Sequence, residues 1–232
     1  MKNKNKSKEN IPPWEKPLFL MIVTFVCCYM NGYTYITRNN ILANMNTANM
    51  SKLGINMALG NFNEALRYFI PIIACILGAA FSELIKSILV KYKHIGDWRK
   101  VALFIESIGL FFIGLFPTSF PDLIVTNLVS FFMGYQLCLF RECLGIGFNT
   151  TICTGNLRNV GQLLYGILNE KSIASIKKLL IFTFLTFSFA IGTIPGTLIS
   201  LTINTKSVWI CSFILLIQAF WINIYEKTAL NK

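Results

Sequence analysis

Two short segments of this sequence carry residue types that can bind a polar solute at the start of a helix. The second segment reads Thr154-Gly155-Asn156, and the first has Thr47 and Asn49 at the matching positions. Thr and Asn side chains can cap free backbone N–H groups, and Gly permits a tight turn before a helix. The positive end of the helix dipole favours an anionic or polar group there. Each segment is therefore a candidate binding site, with a plain helix cap as the alternative.

The two segments belong to longer copies of one motif. Gly32 and Gly134 are 102 residues apart, while Thr47 and Thr154 are 107 residues apart. The copies are thus in register and differ in length by five residues. Such agreement indicates an internal duplication, which largely decides the fold.

Polar side chains inside apolar segments form a second group of candidates, because they are costly in hydrocarbon and usually face the protein interior. Glu106 lies about a turn and a half into one apolar segment, and Gln136 and Arg141 lie towards the end of another. Arg141 could neutralise Glu83 or Glu106. Alternatively, Glu106 could carry a proton during coupled transport, with Glu83 as a further intramembrane acid. A structural ion pair is the simpler interpretation for Glu83 and Arg141.

The sequence carries no signature of enzyme chemistry. Its one histidine, His94, lies in a basic loop, and there is no Gly-x-x-x-x-Gly-Lys run for a nucleotide phosphate. The seven cysteines lie mostly in apolar segments and include no Cys-x-x-Cys pair. We therefore expect no catalytic residues, no metal and no cofactor. An intramembrane enzyme has the weakest support of the functional classes.

The composition is that of an all-α membrane protein. Hydrophobic residues make up 54% of the chain and charged residues only 13%, about half the charged fraction of a soluble domain. The apolar residues occur in long runs, which indicates a multi-pass helical protein whose main partner is the lipid bilayer. The net charge of +11 fits basic cytoplasmic loops better than a nucleic-acid partner.

The apolar runs predict six transmembrane helices. They cover residues 18–35, 65–84, 101–116, 123–140, 179–203 and 208–224. Residues 1–16 are expected to be a disordered, cytoplasmic basic tail. The first half of the molecule begins with residues 17–100, which include a basic cytoplasmic loop over 86–100. The third span, 101–116, completes it. The second half covers 117–232.

The distribution of basic residues sets the predicted orientation. The tail, the 86–100 loop and the 141–178 segment hold five Lys or Arg each, and the C-terminus holds two more. Placing both termini in the cytoplasm puts all of these inside, as the positive-inside rule requires. The first and fourth spans then run in opposite directions, so the two three-helix halves are inverted repeats, an architecture of many transporters.

A short helix is expected after the first span of each repeat. About thirteen residues make a helix of roughly 20 Å, which is too short to cross comfortably. We therefore predict a broken or re-entrant helix, with a helix lying on the membrane surface as an option. If both short helices crossed instead, the chain would have eight spans and the 86–100 cluster would lie outside.

The motif residues resemble those of a known family. Residues 133–136 (Met-Gly-Tyr-Gln), 140–141 (Phe-Arg) and 150–157 (Thr-Thr-x-x-Thr-Gly-Asn-Leu) are similar to the signature of the YoaK-type family of bacterial membrane proteins. The resemblance covers about residues 17–225. It implies a multi-pass protein of the bacterial inner membrane that carries a domain of unknown function, and it names no substrate.

Two functions remain open from the sequence. The first is a small inverted-repeat transporter or channel-like protein for a small polar or anionic solute, bound near the midplane between the motif copies. Its expected contacts are Thr47, Asn49, Gln136, Arg141, Thr154, Gly155 and Asn156, with Glu106 and Glu83 as acids. The alternative is a non-transporting accessory or assembly protein, in which the motifs only shape helix packing. A homo-oligomer is compatible with both.

Overall fold

The computed structural model describes residues 11–91, 96–170 and 173–230, and nearly all of them are helical. The eight α-helices in this part of the chain are α1 (Pro17–Thr37), α2 (Asn46–Ala58), α3 (Phe62–Lys91), α4 (Trp98–Ile113), α5 (Asp122–Leu137), α6 (Cys153–Glu170), α7 (Ile173–Ile203) and α8 (Val208–Leu230). Short 3-10 helices cover Pro13–Glu15 and Asn204–Ser207. The helical class is thus confirmed.

One small β-hairpin departs from the all-α prediction. Strands β1 (Glu142–Cys143) and β2 (Ile146–Gly147) pair antiparallel. Between them, Leu144 and Gly145 have φ values of 52° and 79°. Two consecutive left-handed residues make the tight turn that matches the twist of a hairpin. The hairpin lies within the second motif copy, between the Phe140-Arg141 pair and Thr150.

Three helical stretches are long and apolar enough to cross a membrane. They are Pro17–Thr37, Phe62–Lys91 and Ser175–Thr228, the last of which contains α7, α8 and the 3-10 turn between them. Each of the six predicted spans falls on α1, α3, α4, α5, α7 or α8. The helices α4 and α5 have 16 residues each, which is fewer than the roughly 20 that usually span a bilayer.

The helix α1 lies in the middle of the bundle and packs mainly against α7, with α8 beside it. The helix α5 packs in the same way against α3, with α4 beside it. The short helices α2 and α6 lie against α3 and α7. The counterparts in the two halves are α1 and α5, α2 and α6, α3 and α7, and α4 and α8. Exchanging the members of each pair leaves these contacts unchanged, as a duplication predicts.

The helices α1 and α5, which carry the two motif copies, run in opposite directions. At one end of the pair, the guanidinium of Arg38, just after α1, lies 3.7 Å from the carboxylate of Asp122 at the start of α5. At the other end, the ring of Phe19 near the start of α1 lies 5.3 Å from that of Phe140, beyond the end of α5.

Glycines bring the main helix pairs into close contact. A Cβ on Gly32 of α1 would lie 2.6 Å from the backbone oxygen of Thr193 on α7. A Cβ on Gly134 of α5 would overlap the backbone oxygen of Cys75 on α3. The reciprocal contacts place Gly196 against Tyr29 and Gly78 against Phe131. The repeated glycine of the motif therefore serves the same packing purpose in both copies.

A symmetric contact also joins α4 to α8. The hydroxyl of Ser107 donates to the backbone oxygen of Ser212 at 2.8 Å, and the hydroxyl of Ser212 donates to the backbone oxygen of Ser107 at 2.7 Å. Because the two hydrogen bonds are reciprocal, this contact lies where a twofold axis relating the two halves would pass.

The end of the bundle at which Phe19 and Phe140 meet holds Lys86, Arg99, Lys100 and Arg141, and it is called the basic end below. Within the tail that the sequence predicts to be disordered, Pro13–Glu15 form the 3-10 helix, and Trp14 packs edge-on against Tyr225 at 6.1 Å and under the guanidinium of Arg99 at 5.0 Å. Lys100 pairs with Glu226 at 2.5 Å at this same basic end. Residues 1–10, and His94 with its neighbours at 92–95, lie outside the described part of the chain.

Candidate functional site at the two motif copies

The first motif copy turns back into the bundle after α1 ends. The backbone N–H of Ala43 donates to the hydroxyl of Thr34 at 3.4 Å, and the side-chain amide of Asn44 donates to the backbone oxygen of Cys27 at 3.4 Å. The hydroxyl of Ser130 on α5 also donates to the backbone oxygen of Ala43. Since Cys27 lies about 15 Å back along α1 from its end, α2 begins deep within the bundle.

The second copy follows an equivalent path from the other end. After the hairpin, the backbone N–H of Phe148 donates to the backbone oxygen of Arg141 at 2.9 Å, and its ring packs against Phe182 of α7 at 6.2 Å. Thr150 and Thr151 are buried before α6 begins at Cys153. The helix α6 then runs towards the basic end, whereas α2 runs towards the end that holds Arg38.

Both short helices begin at one shared cavity of about 190 Å³. Residues at equivalent positions of the two copies line it in pairs, namely Asn44 and Thr151, Met45 and Ile152, Asn46 and Cys153, and Thr47 and Thr154. Asn31, Ala48, Cys75, Met133, Leu137 and Phe189 complete the described lining. None of these residues is charged, so the electrostatics of the cavity depend on the helix ends and the neutral polar groups.

Several polar groups at the cavity are unpartnered. Met45 stands at the N-cap of α2 and provides no side-chain hydrogen bond, so no cap side chain occupies the first-turn N–H groups. The side-chain oxygens of Asn31 and Asn46 have no hydrogen-bond partner among the described residues. Asn31 is only 7% exposed, and an acceptor buried to that degree without a partner is costly. These groups can therefore bind a solute.

Asn49 and Asn156 lie under the loops instead of lining the cavity. The amide of Asn156 donates to the backbone oxygen of Asn149 at 2.7 Å, and its oxygen accepts from the backbone N–H of Asn149 at 3.2 Å. The amide of Asn49 donates to the backbone oxygen of Leu42 at 3.4 Å. Each side chain reaches back seven residues, so the repeated Asn fixes the loop that precedes its helix.

A second cavity of about 390 Å³ lies on the side of the basic end. It is lined by Arg141, Gly155, Arg158 and other residues, and it shares Leu137 and Ile152 with the first cavity. The two cavities are thus neighbours, and the second one carries positive charge.

Arg141 is also paired with an acid. Its guanidinium lies 2.5 Å from the carboxylate of Glu83, and the Arg141 side chain is 62% exposed. A hydrogen bond with Cys138 and the Glu83 carboxylate both raise the pKa of Arg141, so its guanidinium carries a permanent positive charge. Because the pair is exposed, we expect it to contribute little to stability.

Gln136 and Glu106 are fully buried and do not line the first cavity. The side-chain oxygen of Gln136 accepts from the thiol of Cys27 at 2.9 Å, and its amide donates to the backbone oxygen of Val23 at 3.3 Å. Gln136 therefore ties α5 to α1. Both carboxylate oxygens of Glu106 are buried without a hydrogen-bond partner among the described residues. This side chain lies near Cys27 and Cys211.

The cavity residues that the sequence interpretation missed are mainly Asn31, Asn44 and Thr151. A signal for two of them was available, because Asn44 and Thr151 stand 107 residues apart, like the other matched pairs. Asn31 has no such partner, since Met133 occupies the matching position 102 residues later. Its one signal is an amide within an otherwise apolar helix.

The long apolar helices and the buried polar groups between them define a helical integral membrane protein. The chain matches, over residues 19–221, the family described as "Protein of unknown function (DUF1275)", and it belongs to that family. Comparisons with curated proteins and with solved structures find no match. A family of unassigned function agrees with the resemblance noted in the sequence, whereas the YoaK-type assignment stays a prediction.

Proposed function

We propose that this protein is a small multi-pass transporter or channel-like protein for a small polar or anionic solute. One observation carries the proposal: the N-termini of α2 and α6, one from each motif copy, line the same cavity. Helix N-termini bind anionic and polar groups through free N–H donors and the positive end of the dipole. Broken helices that meet between repeats form the binding sites of many transporters.

The proposed architecture has six spans arranged as two inverted three-helix repeats. The opposite directions of α1 and α5, the exchangeable helix contacts and the reciprocal Ser107–Ser212 hydrogen bonds support this arrangement. In it, α2 and α6 re-enter from opposite faces and meet near the midplane. The basic end then lies in the cytoplasm with both termini, at the inner membrane of a bacterial cell.

The two cavities suggest a route for the solute. Arg141 and Arg158 would attract an anion into the second cavity from the cytoplasmic side. The solute would then pass Leu137 and Ile152 to the helix N-termini of the first cavity. Thr47 and Thr154 would contact it there, while Gly155, Asn49, Asn156 and Gln136 hold the site in shape. Glu106 would serve as the acid that couples the step to protons.

A flux assay with purified protein in liposomes tests the proposal. The probes are glycine, glycolate, urea and phosphate, and uptake is compared with protein-free liposomes. Thr154→Trp should fill the cavity and reduce flux at least tenfold. Gly161→Trp is the matched control, because a Cβ at this α6 position would meet nothing within 4 Å. It should keep the flux of the wild-type protein.

Two outcomes would contradict transport by this cavity. One is flux of every probe no faster than in protein-free liposomes, and the other is flux that Thr154→Trp leaves unchanged. The first would favour a non-transporting accessory protein. An apolar groove of about 270 Å³ between α4 and α8, lined by Val101, Phe104 and Phe220 among others, supports that second candidate.

A further inference from the structure

We infer that the first cavity selects small solutes that carry one negative charge and, beside it, an N–H or O–H donor. This description fits α-amino and α-hydroxy carboxylates. The inference rests on the proposed function, because it names the solute class for the same site. It follows from the charge of the cavity, from its unpartnered acceptors and from its volume.

The charge of the cavity suits a single negative charge. None of its described lining residues is ionised at neutral pH, so no side chain there neutralises an anion. Each helix N-terminus acts as roughly half a positive charge, and α2 and α6 both begin at this cavity. Together they supply about one positive charge, which matches one carboxylate and leaves a divalent anion poorly neutralised.

The unpartnered acceptors require donors on the solute. The side-chain oxygens of Asn31 and Asn46 can only accept hydrogen bonds, and no described group donates to them. A solute with acceptor atoms alone would leave both of these buried oxygens unpaired. An ammonium or hydroxyl next to the carboxylate would satisfy them, while the carboxylate binds the first-turn N–H groups of the helices.

The volume admits a small organic solute. A cavity needs about 10–15 Å³ to hold one water, and this cavity has a volume of about 190 Å³. Two-carbon acids such as glycine and glycolate fit this space. Acetate has almost the same size and charge but lacks the donor, which makes it the matched comparison.

Native cysteines provide a binding assay on the unaltered chain. Cys153 lines the first cavity and Cys138 lines the second, and both are partly exposed. Alkylation of each thiol by iodoacetamide is followed by mass spectrometry in lipid nanodiscs with glycine, glycolate, acetate or methylammonium. We expect glycine or glycolate to protect Cys153 at concentrations at least tenfold below acetate. Methylammonium should not protect it, and protection of Cys138 would report binding in the second cavity.

Two variants test the donor requirement. Asn31→Leu removes the buried acceptor, and Asn46→Ala removes the other at a helix position where Ala is readily accommodated. Each should reduce the preference over acetate by about tenfold, since a hydrogen-bonding site rejects analogues that leave its groups unpaired. Protection by glycine alone would indicate a zwitterion, and protection by glycolate alone a hydroxy acid; both support the inference.

The inference is overturned if acetate protects as well as glycine and glycolate, if the preference survives in both variants, or if no probe protects Cys153. Its failure is distinguishable from failure of the transport proposal. Flux of acetate as fast as that of glycolate would leave transport intact and remove the donor requirement. Protection of Cys153 without flux of any probe would leave the donor requirement intact and contradict transport.

Discussion

The close contact between α3 and α5 offers a quantitative test of the helix arrangement that brings the motif copies together. Replacing Gly134 with Ala would place a methyl group over the backbone oxygen of Cys75. A backbone atom cannot rotate away as a side chain can, so the two helices must separate. Overpacking costs about 1–3 kcal/mol, and Ala regains about 1 kcal/mol through its higher helix propensity. We expect a net loss of up to about 2 kcal/mol.

The free energy of unfolding can be measured by steric trapping in detergent and lipid mixtures. Gly161→Ala is the matched control, because a Cβ there meets nothing within 4 Å. It should leave stability unchanged or raise it by up to about 1 kcal/mol. Gly32→Ala should behave like Gly134→Ala, since its Cβ would lie 2.6 Å from the Thr193 backbone oxygen. The packing would be refuted if Gly134→Ala were as stable as Gly161→Ala.

Three further predictions concern buried polar groups. Asn156→Ala removes two hydrogen bonds to Asn149 and should cost about 2 kcal/mol by the same unfolding assay; Asn49→Ala removes one long hydrogen bond and should cost less, so equal losses would contradict the loop geometry. Arg38→Met removes the three hydrogen bonds that the fully buried guanidinium donates to the backbone oxygens of residues 116, 117 and 120, and should cost about 3 kcal/mol; a loss under about 1 kcal/mol would contradict that role. Glu106→Gln should keep solute binding at Cys153 but remove any response of liposome flux to a pH gradient, and a full response in this variant would exclude Glu106 as the coupling acid.

Much of the fold could be predicted because it depends on local composition. Long apolar runs mark the helices, and the matched spacing of Gly32 and Gly134 falls on two glycines that both pack closely against the backbone of a neighbouring helix. The short helices were less predictable. The helix α6 has 18 residues, in place of about thirteen expected, and it begins at Cys153, so that it includes the Thr154-Gly155-Asn156 segment. The position of Trp14 depends on its contact with Tyr225, which is distant in sequence.

The site was predictable only in part, for a physical reason. Thr47 and Thr154 lie at the cavity, as their place at the helix starts implied. Asn49 and Asn156 share the motif but bind the loops, because a carboxamide can serve equally as ligand or as loop support. Which of these it does depends on how the chain re-enters the bundle. That path is set by tertiary contacts such as the one between Asn44 and Cys27.

The most direct test of the central claim is whether the two motif copies meet. In a chain without its native cysteines, Thr47→Cys and Thr154→Cys should be joined by a short bifunctional thiol reagent. The control pair, Gly54→Cys and Gly161→Cys, lies seven residues further along each helix, about 10 Å away in opposite directions. The account predicts cross-linking of the first pair and little of the second. Efficient cross-linking of the control pair alone would contradict it.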